Sequence, residues 1–218
     1  MRTIEILGPT NSLIKKSKIF DVELNINESI PFNKHPEEKI YYFLSGRGLI
    51  NVYDEGKFGD VYEIRPDTAV WISPNLGHSL ENKGHLPLRF LVINAYENKG
   101  EQSGRIGHKV TRVYDEGSNQ SRKEGLHLRI RPIQIGTSQR FIGVEMNTIA
   151  PGATTRPHSH SNTEENNYVI VGEGIFHIND EEISCGPGSA QSYPPGTIRR
   201  LENTGKHPLN YINYVTYL

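Results

Sequence analysis

The chain has 218 residues, a formal net charge of -1 at pH 7 and a single cysteine, Cys185. A near-zero charge gives no global basic field for nucleic acid, and one cysteine excludes an internal disulfide framework and fits a reducing compartment. No stretch is long and apolar enough to span a membrane or to form the core of a signal peptide, so the expectation is a cytoplasmic protein with no membrane or nucleic-acid partner.

Gly (21 residues) and Pro (13 residues) are plentiful, and short runs rich in Tyr, Val and Ile recur between them. That pattern predicts an all-β sandwich or barrel with little helix. Residues 1–18 read as an arm with one strand over Arg2 to Leu7. Ile19 to Ile26 alternates apolar and polar residues like a half-buried strand. Further strands are predicted over Ile40 to Leu44, Leu49 to Tyr53, Val61 to Ile64, Ala69 to Ile72 and Arg89 to Ala95. Tyr41, Tyr42 and Trp71 are expected in barrel cores. Residues 97–125 are polar and rich in Gly, Ser and Asn, with at most one short strand near Val110 to Tyr114. They read as a connection between two halves, one able to wrap around the second half.

The second half repeats the first. Phe141 to Ile149 echoes Phe20 to Ile26, Tyr168-Val-Ile-Val-Gly-Glu-Gly echoes Tyr42-Phe-Leu-Ser-Gly-Arg-Gly, and Pro195 to Asn203 echoes Pro74 to Asn82. An internal duplication with small loop insertions accounts for this.

The chemistry concentrates between Pro151 and Gly172. His158 and His160 are two residues apart, so on a strand both imidazoles face the same way. A polar turn over Ser161 to Glu164 is placed to return Glu165 to the same cavity. Two neutral nitrogen ligands and a carboxylate suit a divalent metal. The alternative is a polar surface strand, since His and Glu are usually exposed.

These residues resemble the cupin superfamily. Its first motif is matched by Gly152, five residues, His158, one residue, His160, four residues, Glu165, six residues, Gly172. Its second is matched by Gly188, Pro194, Gly196 and Asn203 at the family spacing, with Arg199 where the family carries its last histidine ligand. The resemblance implies an all-β chain of two tandem cupin barrels (double-stranded β-helix, or jelly roll), that is, a bicupin. It divides as residues 1–98, a connection over 99–125, and residues 126–218. In the first half the motif is degenerate: Asn33-Lys-His35 replaces the histidine pair, Lys39 takes the carboxylate position, and Asp67 and Asn75 replace glycines. A lysine charge there repels a divalent cation, so the first half is expected to hold no tightly bound metal, the alternative being a shifted loop register that brings His35, His78 and Glu38 together.

The resemblance therefore implies one divalent metal per chain, held by His158, His160 and Glu165. Three protein ligands with open positions is the arrangement of non-haem Fe(II) oxygenases, and Zn, Mn, Ni or Co also fit. An arginine near a metal needs an anion between the two positive charges. For Arg199 that anion is either a substrate carboxylate or phosphate, bound bidentately, or Glu165 or Glu164 in a structural ion pair; Arg200 is the other candidate for the inward position. Asn167 and Tyr193 are candidate catalytic partners of Arg199, with Arg156, His177 and Gln191 as further candidates to line the cavity. Cys185 reads as a bystander, and His85, His108, His127 and His207 as surface or loop residues.

The function implied is a metal-dependent enzyme on a small anionic, carboxylate-type substrate. The candidate reactions are Fe(II) dioxygenation, or isomerisation, cyclisation or decarboxylation of a small keto or hydroxy acid. The alternative is a non-enzymatic sugar-type binding or sensing cupin. A monomer or a homodimer satisfies the strand edges.

Overall fold

The structure is a computed structural model that describes residues 1–8, 11–12, 15–54, 57–96, 107–114, 120–124, 126–133, 138 and 140–218. The first half contributes β1 (Arg2–Leu7), β2 (Ser17–Leu24), β3 (Ser29–Asn33), β4 (Glu38–Ser45), β5 (Gly48–Asp54), β6 (Lys57–Ile64), β7 (Thr68–Ile72), β8 (Gly77–Asn82), β9 (Leu88–Ala95) and β10 (His108–Arg112). The second contributes β11 (Gln120–Glu124), β12 (His127–Ile133), β13 (Phe141–Ile149), β14 (Thr163–Val171), β15 (Gly174–Ile178), β16 (Glu181–Cys185), β17 (Ala190–Tyr193), β18 (Arg199–Asn203) and β19 (Leu209–Tyr217). No helix occurs among the described residues.

Each half is a two-sheet barrel. A six-stranded sheet in the order β1-β2-β9-β4-β7-β10 faces a four-stranded sheet, β3-β8-β5-β6. Its counterpart is β11-β12-β13-β19-β14-β17, facing β16-β15-β18. The expected connection over 99–125 is thus partly absorbed into the sheets. β10 pairs with β7 of the first barrel and β11 with β12 of the second. Most of the remaining residues of that stretch lie outside the described residues.

The duplication reaches down to single backbone angles. Gly46 and Gly172 sit at matched turns with φ of 85° and 95°. A side chain on Gly172 would put its Cβ 2.6 Å from the Leu209 Cα, and one on Gly46 would meet the Pro87 carbonyl at 2.5 Å. Where the second half has Gly188 and Gly196 at positive φ, the first has Asp67 (φ 61°) and Asn75 (φ 59°). Asp and Asn are the side chains that best tolerate this region. The turn is kept although the glycine is not.

The two barrels share a core. Ile19, Ile40, Tyr42, Trp71 and Ile93 from the first six-stranded sheet pack with Ile130, Phe141, Met146, Tyr168 and Tyr214 from the second. Polar contacts pin the seam. Arg89, forked onto Asp21 with Nη2–Oδ2 at 2.6 Å, donates to the Tyr168 hydroxyl of the second barrel at 3.4 Å. The Arg140 backbone N–H donates to Glu38 at 3.1 Å, and its guanidinium donates to the Pro36 carbonyl at 2.8 Å. Glu164 accepts the backbone N–H groups of Lys15 at 2.7 Å and Lys16 at 3.0 Å, which docks the N-terminal arm on β14.

The barrel interiors differ. In the first, Tyr41 stacks on Phe43 and Phe90 packs against both at a tilt, within one apolar cluster with Val22, Leu24 and Ile50. The matching positions of the second are Asn167, Val169 and Tyr211. Loss of two large aromatic rings leaves room for a cavity.

Candidate metal centre

His158 and His160 do not lie in a regular strand, as the alternation suggested. They occupy an extended segment tied to the barrel by isolated bridges, His158 to Arg199 and Thr154 to Glu202. The His158 N–H donates to the Arg199 carbonyl at 3.2 Å, and the Arg199 N–H returns to the His158 carbonyl at 3.0 Å. The Gly196 N–H closes the other side on the His160 carbonyl at 2.7 Å. Glu165 comes from β14, where alternation sends Glu164 out to the arm and Glu165 into the barrel.

One ligand atom from each of His158, His160 and Glu165 lies within 4.8 Å of the others. His160 Nε2 is 3.1 Å and His158 Nε2 3.7 Å from Glu165 Oε2. The His158 Nδ1–H donates to the Arg156 carbonyl at 3.0 Å, which presents Nε2 to the site. Both histidines are half-exposed, whereas the Glu165 side chain is 7% exposed. Burial by itself raises a carboxyl pKa, but hydrogen bonds from His158, His160 and Arg199 overcome it and hold Glu165 well below the usual range. His158 is pushed up, first by its hydrogen bond to Glu165. Two imidazoles and one ionised carboxylate converging in this way fit a divalent cation.

Arg199 takes the structural option. It is 3% exposed, and its Nη2 pairs with Glu165 Oε2 while Nη1 donates to the Thr197 carbonyl at 3.1 Å. Its guanidinium lies 5.3 Å from the Tyr193 ring centroid. Tyr193 is buried and accepts from Asn167 Nδ2 at 3.3 Å, and Asn167 in turn accepts from Asn213 at 2.8 Å. None of Arg199, Asn167 and Tyr193 lines the cavity. They stand behind its wall, where Arg199 holds Glu165 through Nη2 and Asn167 links Tyr193 to Asn213, while the buried Arg199 Nε has no hydrogen-bond partner among the described residues. Arg200 turns outward to His177, which pairs with Glu202 at 2.9 Å and Glu182 at 3.2 Å on the outer sheet, away from the cavity. Burial pushes the Cys185 thiol up to about 11, in keeping with a bystander.

The cavity, about 490 Å³, opens at the histidines and Arg156 and runs down the second barrel. Its wall is built from β12 (His127, Arg129, Arg131), β13 (Gly143, Glu145, Asn147) and β19 (Tyr211, Asn213, Val215). Arg129 and Arg131 each fork onto the buried Glu145, with Arg129 Nη2 at 2.6 Å. His127, expected on the surface, is 8% exposed and bonds Asn147 at 3.0 Å. Of the residues that sequence reasoning missed, these are the ones that face the site.

In the first barrel the equivalent place holds Lys39, buried and bonded to Asn94 at 3.1 Å. Burial lowers the Lys39 ammonium, and it holds His78 down at about 4. The Tyr41 hydroxyl donates to His78 Nε2 at 2.7 Å. Glu38 faces the other way, onto Trp71 and Arg140 at the seam, so it belongs to the shared core and not to this cluster.

The Cupin domain family matches residues 20–94 and 146–215, two copies that together span well over half of the chain. The chain belongs to the cupin family. Over 91 residues this cupin is 32% identical to an uncharacterized protein of Methanocaldococcus jannaschii, covering 41% of this chain and 69% of that one. Over 70 residues it is 29% identical to an oxalate-binding protein of Thermotoga maritima, covering 32% of this chain and 58% of the relative. Its fold matches a Bacillus subtilis oxalate decarboxylase with a TM-score of 0.80 at 14% identity, over 99% of this chain and 72% of the enzyme. A further structure of that decarboxylase, with a TM-score of 0.79, 14% identity and the same coverage of both chains, concerns its Mn(II) centers.

Arg199→His is the informative substitution in this cupin. It removes a positive charge beside the carboxylate and offers a fourth ligand, an imidazole, at the family's position. Affinity for a divalent metal is expected to rise at least about tenfold, roughly 1.4 kcal/mol, as read by competition with a chelator. Unchanged or weaker binding would show that Arg199 serves the ligands better than a histidine does.

Proposed function

We propose that this cupin is a metal-dependent enzyme acting on a small carboxylate. The observation that carries the reading is the convergence of His158, His160 and Glu165 at the rim of a cavity with an arginine-rich wall. The oxalate-binding relative and the shared fold with oxalate decarboxylase support the choice of a carboxylate. Three protein ligands suit Fe(II), and the Mn(II) centers of the decarboxylase make Mn(II) the second metal to load. The bound metal would supply Lewis-acid polarisation of a chelating carboxylate or keto group. The chain's own residues do the rest. Arg156, exposed at the mouth two residues before His158, meets the entering anion. Arg199 holds Glu165 ionised and oriented. The dense wall of strands limits access by water to the open end.

Calorimetric titration of the Fe(II)- or Mn(II)-loaded protein with oxalate should show binding that vanishes after metal removal. Binding that survives chelation would overturn the metal-dependent reading. The oxalate-binding relative favours a second reading, a binding module without turnover. Oxygen uptake, carbon dioxide release and product formation from oxalate and small keto acids separate the two, because a binding module gives none of them. Oxygen uptake marks an oxygenase. Carbon dioxide without it marks a decarboxylase, and product formation with neither gas change marks an isomerase.

A further inference from the structure

The strand registers divide the cavity wall into rows. Gly143, Val215 and Glu165 lie side by side across β13, β19 and β14. The next row holds Glu145 and Asn213, with Arg131 reaching Glu145 from β12. A Cβ on Gly143 would stand 3.5 Å from Arg131 Nε. The Arg131 side chain therefore leans over the bare backbone of Gly143, into the row that carries the metal carboxylate. It uses its Nε–H and one Nη2–H on Glu145. A guanidinium has five N–H groups, and the other three of Arg131 have no partner among the described residues. Its side chain is 25% exposed and lines the cavity. Two strand spacings, roughly 10 Å, separate the backbone beneath it from that of Glu165.

We infer that Arg131 forms a second anion subsite, so that the substrate is a short two-headed anion: a chelating 2-oxo or 2-hydroxy carboxylate at the histidines and a second carboxylate or phosphate at Arg131. The two heads of oxalate are directly bonded and cannot reach both places. A chain of a few atoms between the heads spans the gap, and a cavity of about 490 Å³ has room for it. Glu145 fixes the guanidinium in place, as a carboxylate partner does for a recognition arginine. The inference rests on the metal-and-carboxylate reading of the same cavity.

The test is competitive titration of the Mn(II)-loaded full chain with oxalate, pyruvate, and 2-oxo dicarboxylates of four, five and six carbons, repeated in Arg131→Met and Arg131→Lys. One diacid should bind at least about tenfold tighter than pyruvate, the scale of a hydrogen-bonded ion contact. That advantage, read as the ratio of diacid to pyruvate affinity within each variant, should disappear in Arg131→Met and survive in part in Arg131→Lys. A 2-oxo acid of matched length carrying a phosphate in place of the second carboxylate tells which anion the subsite prefers. If no two-headed acid exceeds pyruvate, or if the advantage persists in Arg131→Met, the subsite is refuted while the proposed function stands. If neither oxalate nor pyruvate binds the metal-loaded protein, the carboxylate reading itself fails, and the subsite with it.

Discussion

Glu165→Ala is expected to abolish tight metal binding and to destabilise the fold at the same time. Its carboxylate converges with His158 and His160 in the proposed metal site and is the partner of Arg199, which is 3% exposed. Loss of a ligand should lower metal affinity by more than about 100-fold, beyond what losing a mere supporting contact costs. Removing one side of a buried ion pair costs about 3–5 kcal/mol because the remaining charge is stranded. The adjoining cavity admits water to Arg199, which places the expectation near the lower end. The double variant Glu165→Ala/Arg199→Met separates the two effects. It should regain most of the stability in urea denaturation and none of the metal by elemental analysis. A single variant that keeps its metal would remove Glu165 from the ligand set. A double variant as unstable as the single would mean that the ion pair is not the source of the loss.

Phe141→Ala should cost about 3–5 kcal/mol, as large aromatic truncations in packed cores do. Phe141 is 1% exposed and meets Tyr214 edge-on, with ring centroids 6.4 Å apart. It belongs to the second half, yet it packs in the same cluster as Trp71 of the first. Trp71 is the single tryptophan of the chain, so its fluorescence reports on the first barrel and on the core that barrel shares with the second. The midpoint seen by Trp71 fluorescence should therefore fall together with that seen by far-UV circular dichroism. A Trp71 transition that stays in place would show that the barrels unfold independently.

The convergence of His158, His160 and Glu165 and the matched turns were legible because they are local. The spacing of His158, His160 and Glu165 and the repeat of Gly46 at Gly172 are written along the chain, and the fold places them accordingly. The arginine wall was not legible, although its pattern was present. His127, Arg129 and Arg131 alternate with Leu128 and Ile130, as in any half-buried strand. Alternation says that one face is apolar, not which face looks into the barrel. Because the two six-stranded sheets pack against each other, Leu128 and Ile130 point outward to the shared core and the charged face turns inward. The tie between Arg199 and Glu165 was open for a related reason. Sequence offered an anion for the guanidinium, and only the closed barrel decides that the protein's own carboxylate reaches it first.

The contrast between the two interiors has a consequence for how the chain divides its labour. A hollow barrel forfeits dispersion contacts along every wall that faces the void, and a wall of charges adds desolvation to that loss. The first barrel carries less of both: its rings fill it, and its centre holds Lys39 where the second holds Glu165. Joined through a common core, the filled barrel lends cohesion to the hollow one. Activity-bearing sites generally trade against stability within one domain. Here duplication has let the two demands drift apart into separate copies, one kept for firmness and the other free to stay open.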